Sequence, residues 1–477
     1  MATVGKTAGE KALADLPSGA VRSFEADVSG DVVRPSDPKY ERVRQVWNGM
    51  IDRYPAVVAR CAGVADVVAS VTFAREHDLP FAVRSGGHNV AGTAVCDGGL
   101  VVDLSTMRSV RVDPDRRTVR VEGGATLGDV DRETQLFGLA TALGAVSETG
   151  VAGLTLNGGY GHLSRQYGLA LDNLRSVDVV TADGQVHTAS ADRNADLFWG
   201  IRGGGGSLGI VTSFEFDCHE VGPEVYAFFA WFHGDDTAAA MERCLEWAAD
   251  APREAGVLAF TGYVPDLEEF PEDSWGDPAL AMLGTYRGDP ADGDAVFRPL
   301  RESATPLADF SGPMDYVDVQ SMLDEDYPDG LRYYWKSVYL TEVTDEVVDI
   351  MVRYTESAPS ALSTIDLWCL GGAVEDVPAD ATAFYHREKP YMLNFEANWG
   401  DPADDDANVA WGRAGIAEAS ELAVASGSYG NFPGLNEDPA KQRFGDNYER
   451  MVDLKTEYDP ENLFGSSGSV APRPGGD

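Results

Sequence analysis

Arg84-Ser85-Gly86-Gly87-His88-Asn89, set between a short apolar run and a glycine stretch ending at Gly92, decides how the rest of this chain is read. Two adjacent glycines let backbone N–H groups come close to an anion and take φ > 0 without a Cβ penalty, making a small nest suited to a diphosphate. His88 stands at the edge of that nest. An imidazole nitrogen is a competent nucleophile, so a histidine there can tether the cofactor whose phosphates the glycines hold. The competing reading is a tight turn carrying an exposed histidine, and the hexapeptide alone leaves both open.

A second block follows some sixty residues on, from Gly150-Val151-Ala152-Gly153-Leu154 through Asn157-Gly158-Gly159-Tyr160-Gly161, with Tyr167-Gly168-Leu169 and Asp172-Asn173 behind it. A third runs from Asp196-Leu197-Phe198-Trp199 into Arg202-Gly203-Gly204-Gly205-Gly206-Ser207-Leu208-Gly209-Ile210-Val211. Gly204-x-Gly206-x-x-Gly209 matches the dinucleotide fingerprint in letters only. A Rossmann loop follows a strand and opens a helix, whereas this one follows a helical segment and precedes the β-branched run Ile210-Val211-Thr212. Its glycines are expected to let the backbone press against a cofactor or a neighbouring strand.

In this order and spacing the three blocks resemble the berberine bridge enzyme-like branch of the vanillyl-alcohol oxidase flavoprotein superfamily. Tyr429-Gly430-Asn431-Phe432 resembles that branch's Tyr-x-Asn motif, and Tyr448 to Phe464 resembles its closing segment. The resemblance implies an α+β fold, with a FAD-binding domain of the vanillyl-alcohol oxidase type and an α+β substrate domain carrying a broad antiparallel sheet. It implies FAD held by Arg84, Ser85, Gly86, Gly87, His88, Asn89, Thr149, Gly150, Gly153, Leu154, Gly159, Gly161, Ile210, Val211 and Asn431. Where some relatives carry a cysteine that makes a second flavin bond, this chain has Val146, so one covalent link, at His88, is expected, or none, and no cysteinyl link. A histidine of some relatives is Leu154 here. His162, eight residues along, either compensates or is a packed core histidine.

Tyr429 is the expected substrate-facing base by its match to Tyr-x-Asn. A phenol with a free pKa near ~10 needs a positive charge or ordered donors to serve at neutral pH. Asp366 and Trp368, two apart on one strand, share a face and can reach the cavity, Asp366 as an aid to catalysis and Trp368 as a substrate contact; a surface contact for Asp366 is the alternative. Asn431 is expected to orient the flavin or Tyr429. Thr149 resembles the oxygen-access position of some relatives and is small enough to admit O2. His386-Arg387 is either catalytic or part of a loop.

Composition bounds the rest. The 477 residues, 44% of them hydrophobic, suffice for two packed cores. No run of about 18 apolar residues occurs, and the N-terminus lacks the basic-then-apolar order of a secretory signal, so the expected location is the cytoplasm. Cys61, Cys96, Cys218, Cys244 and Cys369 are scattered singly and read as mostly buried thiols. A formal net charge of −41 disfavours nucleic acid or an anionic membrane as partner. Only seven of the 37 basic residues are lysine, and acidic excess with scarce lysine fits a surface built for concentrated salt, hence a halophile, with a merely acidic mesophilic enzyme as the alternative. Asp401-Pro402-Ala403-Asp404-Asp405-Asp406 reads as a solvated loop, and no metal site is expected.

The expected organisation is a mobile or loosely docked N-terminal arm (1–30), a FAD-binding domain (31–222), a substrate domain (223–425) and a C-terminal segment (426–477) that returns to the FAD-binding domain. Strands are expected at 56–61, 81–84, 100–103 and 118–122, with helices at 64–76 and 127–137 and a hairpin turning at Asp183-Gly184. Farther on, aromatic-rich strands at 225–232, 281–286, 333–339, 365–370 and 391–398 alternate with helices at 236–249, 344–357 and 408–426. The expected chemistry is hydride transfer from a CH–OH carbon of a small molecule, a sugar or other alcohol, to the flavin, with O2 or another acceptor reoxidising it. Oxidation of a cyclic amine at CH–NH is the alternative within enzymes, and a non-catalytic flavin-binding protein the alternative outside them.

Overall fold

The computed structural model describes residues 6–437, 439–465 and 470–474. Strands Val57–Arg60, Leu100–Asp103 and Phe81–Arg84 pair in parallel, with Asp31–Val33 added antiparallel at one edge. Parallel strands need a crossover, and helix Val64–Glu76 supplies the one from Val57–Arg60 to Phe81–Arg84, passing over Leu100–Asp103 between them and burying Val67, Val71 and Ala74. The glycine loop therefore leaves the carboxyl end of Phe81–Arg84, the end at which open α/β sheets present their ligand sites. Arg84 pins the loop's entry: it pairs with Asp103 on the adjacent strand and donates to the carbonyls of Val43 and Gln45.

A five-stranded antiparallel sheet follows, ordered Val110–Asp113, Thr118–Glu122, Ile210–Asp217, Leu174–Val180, Val186–Ser190. Its hairpin turns at Asp183-Gly184 as the sequence indicates, with Gly184 at φ 82°. Alternation along Ile210–Asp217 sends Phe214 and Phe216 into the core.

The expectation of an N-terminal arm does not hold for the described part. Ala8–Asp15 and Ala20–Asp27 are helices, the first started by a capping box between Thr7 and Glu10. Phe24 is buried and stacks on Phe73 at 4.4 Å. Few apolar anchors in a charged background hid this docking. Residues 1–5 lie outside the described residues.

The second half is built on one nine-stranded antiparallel sheet. Its path runs Pro306–Asp309, Glu224–His233, Pro278–Tyr286, Ala255–Tyr263, Thr364–Cys369, Tyr391–Trp399, Arg332–Leu340, Ala425–Ser426, and Gly312–Asp315 also pairs with Glu224–His233. All five expected strands are present. Ala255–Tyr263, in the middle of the sheet, was not expected, because Gly256, Gly262 and two alanines blur its β signal. The helix expected at 408–426 spans Asp405–Ser420 instead, and Ala425–Ser426 turns back as an edge strand. Helices Thr237–Asp250, Asp345–Glu356 and Asp405–Ser420 cover one face of the sheet through Met241, Met351, Ile416 and their neighbours. Gly415 lets the last of these approach closely, since a Cβ there would stand 2.0 Å from the Phe395 ring. The opposite face looks toward the first half of the chain. Helix Tyr448–Tyr458 then returns to that first half, where Met451 and Leu454 share a core with Leu197 and Trp199.

One contact between the halves is sensitive to pH. Gln320 Nε2 donates to Asp131 Oδ2 at 3.0 Å, while Asp131 Oδ1 and Gln320 Oε1 are both buried without a partner. A proton on Asp131 would supply a donor where two buried acceptors now have none, and burial pushes its carboxyl up to about 7. Because the unfolded carboxyl titrates near ~3.9, the folded chain holds the extra proton between roughly pH 4 and 7, and the pair's contribution is lost as pH rises through that window. Asp131→Asn supplies a permanent donor. It is expected to melt roughly 3–6 °C above the parent at pH 8, with the gap closing by pH 5, as read by thermal denaturation; a gap independent of pH would mean that Asp131 is already ionised.

Candidate active site

A deep cleft, about 1720 Å³ of atom-free space counted to its mouth, runs between the glycine loops and the opposite face of the nine-stranded sheet. On the first-half side Ser85, Gly86, Gly87, His88, Asn89, Thr149, Gly150, Gly153, Leu154, Ile210 and Val211 line it. The two loops touch: a Cβ on Gly86 would lie 2.6 Å from the Gly150 nitrogen, and one on Gly150 would lie 2.5 Å from the Gly86 nitrogen. Only glycine at both positions allows this approach. A Cβ on Gly153 or Gly206 would meet nothing within 4 Å, so these two present bare backbone to the cleft.

His88 is the most constrained side chain of the loop. Its ring stacks on Trp47 at 3.9 Å, and Trp47 stacks in turn on Tyr333 at 3.7 Å. Burial pushes the imidazole down to about 4, leaving it neutral at physiological pH, and its Nε2 has no partner. Ser85 Oγ is likewise buried and unpartnered. A bare-backbone nest, an unused hydroxyl and a neutral imidazole with a spare lone pair fit a diphosphate cofactor and its attachment.

On the sheet side, alternation and register put Leu258, Asp366, Trp368, Trp335 and Glu396 in the cleft wall. Asp366 makes no surface contact: it is 3% exposed and accepts from Thr364 Oγ1 at 2.8 Å. Glu396, on the adjacent strand, accepts from Tyr327 Oη at 2.9 Å and Asn394 Nδ2 at 2.7 Å. Burial raises the carboxyls of both acids, and the charge of Asp366 raises Glu396 further, so the pair keeps at least one proton at neutral pH. Sequence reading missed Glu396, Tyr327 and Trp335. The first had a signal: Asn394, Glu396 and Asn398 alternate in an otherwise apolar strand, which marks one polar sheet face.

Tyr429 stands between the two sides. Its phenol oxygen accepts from the Gly159 N–H at 3.0 Å and Asn431 Nδ2 at 2.9 Å. Burial raises its ionisation, while the donors from Asn431, Gly159 and Tyr160 and the charge of Arg443 pull the other way. Asn431 is held by Asn157 Nδ2, which donates to its Oδ1 at 2.9 Å, and it also donates to the Leu154 carbonyl at 3.2 Å.

Several expected residues are elsewhere. Arg84, Gly159 and Gly161 do not line the cleft: Arg84 is committed to Asp103, Gly159 supports Tyr429, and a Cβ on Gly161 would lie 2.1 Å from the Leu143 carbonyl. His162 does not compensate at the cleft; it bonds Thr285 Oγ1 at 3.1 Å in a smaller cavity behind Trp368. His386 bonds the Gln442 carbonyl at 2.7 Å, and buried Arg387 pairs with Asp172 at 2.7 Å, so this dipeptide ties loops together. Four of the five cysteines are buried and Cys96 is partly so. Among the described residues no group of acidic, histidine or cysteine side chains is arranged to hold a metal ion, and no helix is long and apolar enough to cross a membrane.

Cleft and fold together define a FAD-dependent oxidoreductase. Residues 55–190 match the family model described as "FAD binding domain", and residues 428–471 match "Berberine and berberine like". A FAD-linked oxidoreductase of Dictyostelium discoideum is 30% identical over 457 residues, 95% of this chain and 97% of that one. The chain therefore belongs to the berberine bridge enzyme-like family of FAD-linked oxidoreductases. The solved structure of 6-hydroxy-D-nicotine oxidase from Arthrobacter nicotinovorans superposes with a TM-score of 0.81 at 27% identity, covering 92% of this chain and 96% of that one. Glucooligosaccharide oxidase from Acremonium strictum, described as carrying 6-S-cysteinyl, 8α-N1-histidyl FAD, shares the fold with a TM-score of 0.83 at 24% identity, covering 95% and 99%. The α+β architecture of the vanillyl-alcohol oxidase type stands as expected.

Proposed function

We propose that this enzyme oxidises a CH–OH carbon of a small molecule, a sugar or other alcohol, with O2 as the expected acceptor and H2O2 as product. The observation that carries the reading is the meeting, in one cleft, of the glycine nest with Tyr429 and the Asp366–Glu396 pair. Bound there, FAD supplies the hydride acceptor. The backbone of Ser85 to Asn89, with Gly150 and Gly153, is suited to hold its diphosphate, and His88 to make its single covalent link. No cysteine lines the cleft, and Val146 cannot form a thioether, in contrast to the doubly linked glucooligosaccharide oxidase. Tyr429 takes the substrate hydroxyl proton at its phenol oxygen, and the acid pair, with at least one proton between two carboxyls, fixes the substrate or receives that proton in turn. Trp335, Trp368 and Phe432 offer flat faces for stacking a ring, and Thr149 leaves room for O2.

A second reading, oxidation at CH–NH, is favoured by the same pair, because a cleft carboxylate is what an amine substrate requires, and by the likeness to a nicotine oxidase. Anaerobic bleaching of the yellow enzyme by sugars, simple alcohols and cyclic amines separates the two. Bleaching by amines alone removes the CH–OH reading, and bleaching by neither class removes both.

The chain is assigned a FAD-binding domain at 31–222, a substrate domain at 223–425 and a C-terminal return at 426–477. Its working compartment is taken as the cytoplasm. The charge of −41 with seven lysines supports a surface adapted to salt, where the Debye length shrinks to about 3 Å at 1 M. The melting temperature is expected to climb steeply from low to molar KCl, and a flat or falling curve removes the halophile assignment.

A further inference from the structure

We propose that Arg443 is a positioning residue for the Tyr429 hydroxyl, acting through two oriented amides, Asn157 and Asn431. The proposal rests on the reading of Tyr429 as the substrate base. Arg443 donates to Asn157 Oδ1 and, at 2.8 Å, to the Gly203 carbonyl. Asn157 Nδ2 donates to Asn431 Oδ1 at 2.9 Å, and Asn431 Nδ2 donates to the Tyr429 phenol oxygen at 2.9 Å. Each amide accepts at its oxygen and donates at its nitrogen, so their dipoles run head to tail from guanidinium to phenol. Reversing Asn157 would set an NH2 group against the guanidinium N–H. Reversing Asn431 would set its NH2 against that of Asn157 and its oxygen against the Leu154 carbonyl. The cation at one end, with the Gly153 carbonyl accepting from Asn157 Nδ2 at 3.1 Å and the Leu154 carbonyl accepting from Asn431, fixes the direction of the chain, and hydrogen bonds polarised in series strengthen one another.

The backbone is shaped around this relay. A Cβ on Gly430, the middle residue of Tyr-x-Asn, would stand 2.8 Å from Arg443 Nε and 3.1 Å from Asn157 Oδ1. A Cβ on Gly205 would stand 2.9 Å from an Arg443 nitrogen and 3.0 Å from Asn157 Oδ1. Gly205 also sits at φ 63°. The third glycine block, whose dinucleotide match is spurious, thus has a function that its letters do not reveal: it makes room for a guanidinium and an amide behind the phenol.

The charge reaching Tyr429 is positive. The titratable groups facing it are Tyr160, at 5.0 Å between rings, Tyr339, at 6.5 Å, and Arg443. Behind the two tyrosines lies the Arg387–Asp172 pair. Among the described residues no carboxylate hydrogen-bonds the phenol. Burial lowers Arg443 to about 10, which leaves it protonated at neutral pH. Its charge, carried by the chain, and the Gly159 N–H then stabilise the phenolate that must accept a proton.

The test reads Tyr429 directly. In the holoenzyme its ionisation is the tyrosinate absorbance that separates the parent from Tyr429→Phe across a pH titration, a measurement needing no substrate. Arg443→Gln is expected to move that ionisation up by about one unit. Reduction of the flavin by a bleaching substrate should slow about tenfold at neutral pH and recover at high pH, with its plateau unchanged. Arg443→Lys should restore the parent titration. Asn157→Asp breaks the chain at its middle link and should shift the ionisation at least as far, which keeps the test alive if Arg443→Gln fails to fold. An ionisation that stays put in both variants overturns the proposal, as does a lowered plateau with an unmoved limb, since that is the mark of a structural role. A rate limb that survives Tyr429→Phe overturns the base assignment, while the absorbance shift still decides the relay.

Discussion

Tyr429→Phe should slow anaerobic flavin reduction by roughly 10²–10⁴-fold, the range of a positioned acid–base group, while leaving the cofactor bound. Only a hydroxyl is lost. Its removal leaves the Gly159 N–H and Asn431 Nδ2 facing a ring edge, but Asn431 is still held by Asn157 and the Leu154 carbonyl, and the Gly159 carbonyl still accepts from the Ala170 N–H, so the cleft keeps its shape. Substrate affinity should change little, because the interaction lost is one made as the proton moves. Stopped-flow reduction separates the outcomes: slow reduction with unchanged reoxidation puts Tyr429 in the reductive half-reaction, and normal reduction transfers the base role to the Asp366–Glu396 pair. Asp366→Asn and Glu396→Gln, each combined with Tyr429→Phe, ask whether phenol and carboxyls work as one unit. A double variant no slower than its worse single parent would show that they do.

How much of this was legible in the letters follows from where each signal came from. Gly86, Gly87 and His88 could be read because a nest needs glycines at adjacent positions, and the nest is local. The strands of the large sheet were legible from aromatic and β-branched runs, except Ala255–Tyr263, where glycine and alanine carry no such mark. What sequence cannot deliver is register. Glu396 and Asp366 become a pair only because Asp366 lies opposite Asn394 and Thr364 opposite Glu396, a diagonal that no single strand encodes. Asn157 and Arg443 are 286 positions apart, and their link exists only once the C-terminal segment has folded back. His162 had two readings, and the structure has the packed one. Its spacing from Leu154 suggested a substitute ligand, but the tight turn after Gly161 sends it behind Trp368, into a different cavity.

His88→Ala is expected to abolish covalent flavin: the denatured parent should fluoresce on an acid-treated gel, and the variant should release its yellow colour into the supernatant. A protonated imidazole has no lone pair to give, and burial between the glycine loop and Trp47 holds His88 near 4, neutral at any physiological pH. The stack of His88, Trp47 and Tyr333 fixes the plane of the ring, which would hold the imidazole in one orientation toward a bound flavin. Truncation to alanine removes the nucleophile and leaves Gly86, Gly87 and Gly150 in place, so FAD should still bind, now lost on prolonged dialysis. Loss of the tether and loss of the cofactor are thereby distinguishable, the first by the denatured gel and the second by the colour of the folded protein. Peptide mapping of the parent should find flavin mass only on the peptide containing His88. Fluorescence that persists in His88→Ala, or flavin mass on a cysteine peptide, would place the link elsewhere and reopen the Val146 argument, since that valine is why one bond, and not two, is expected.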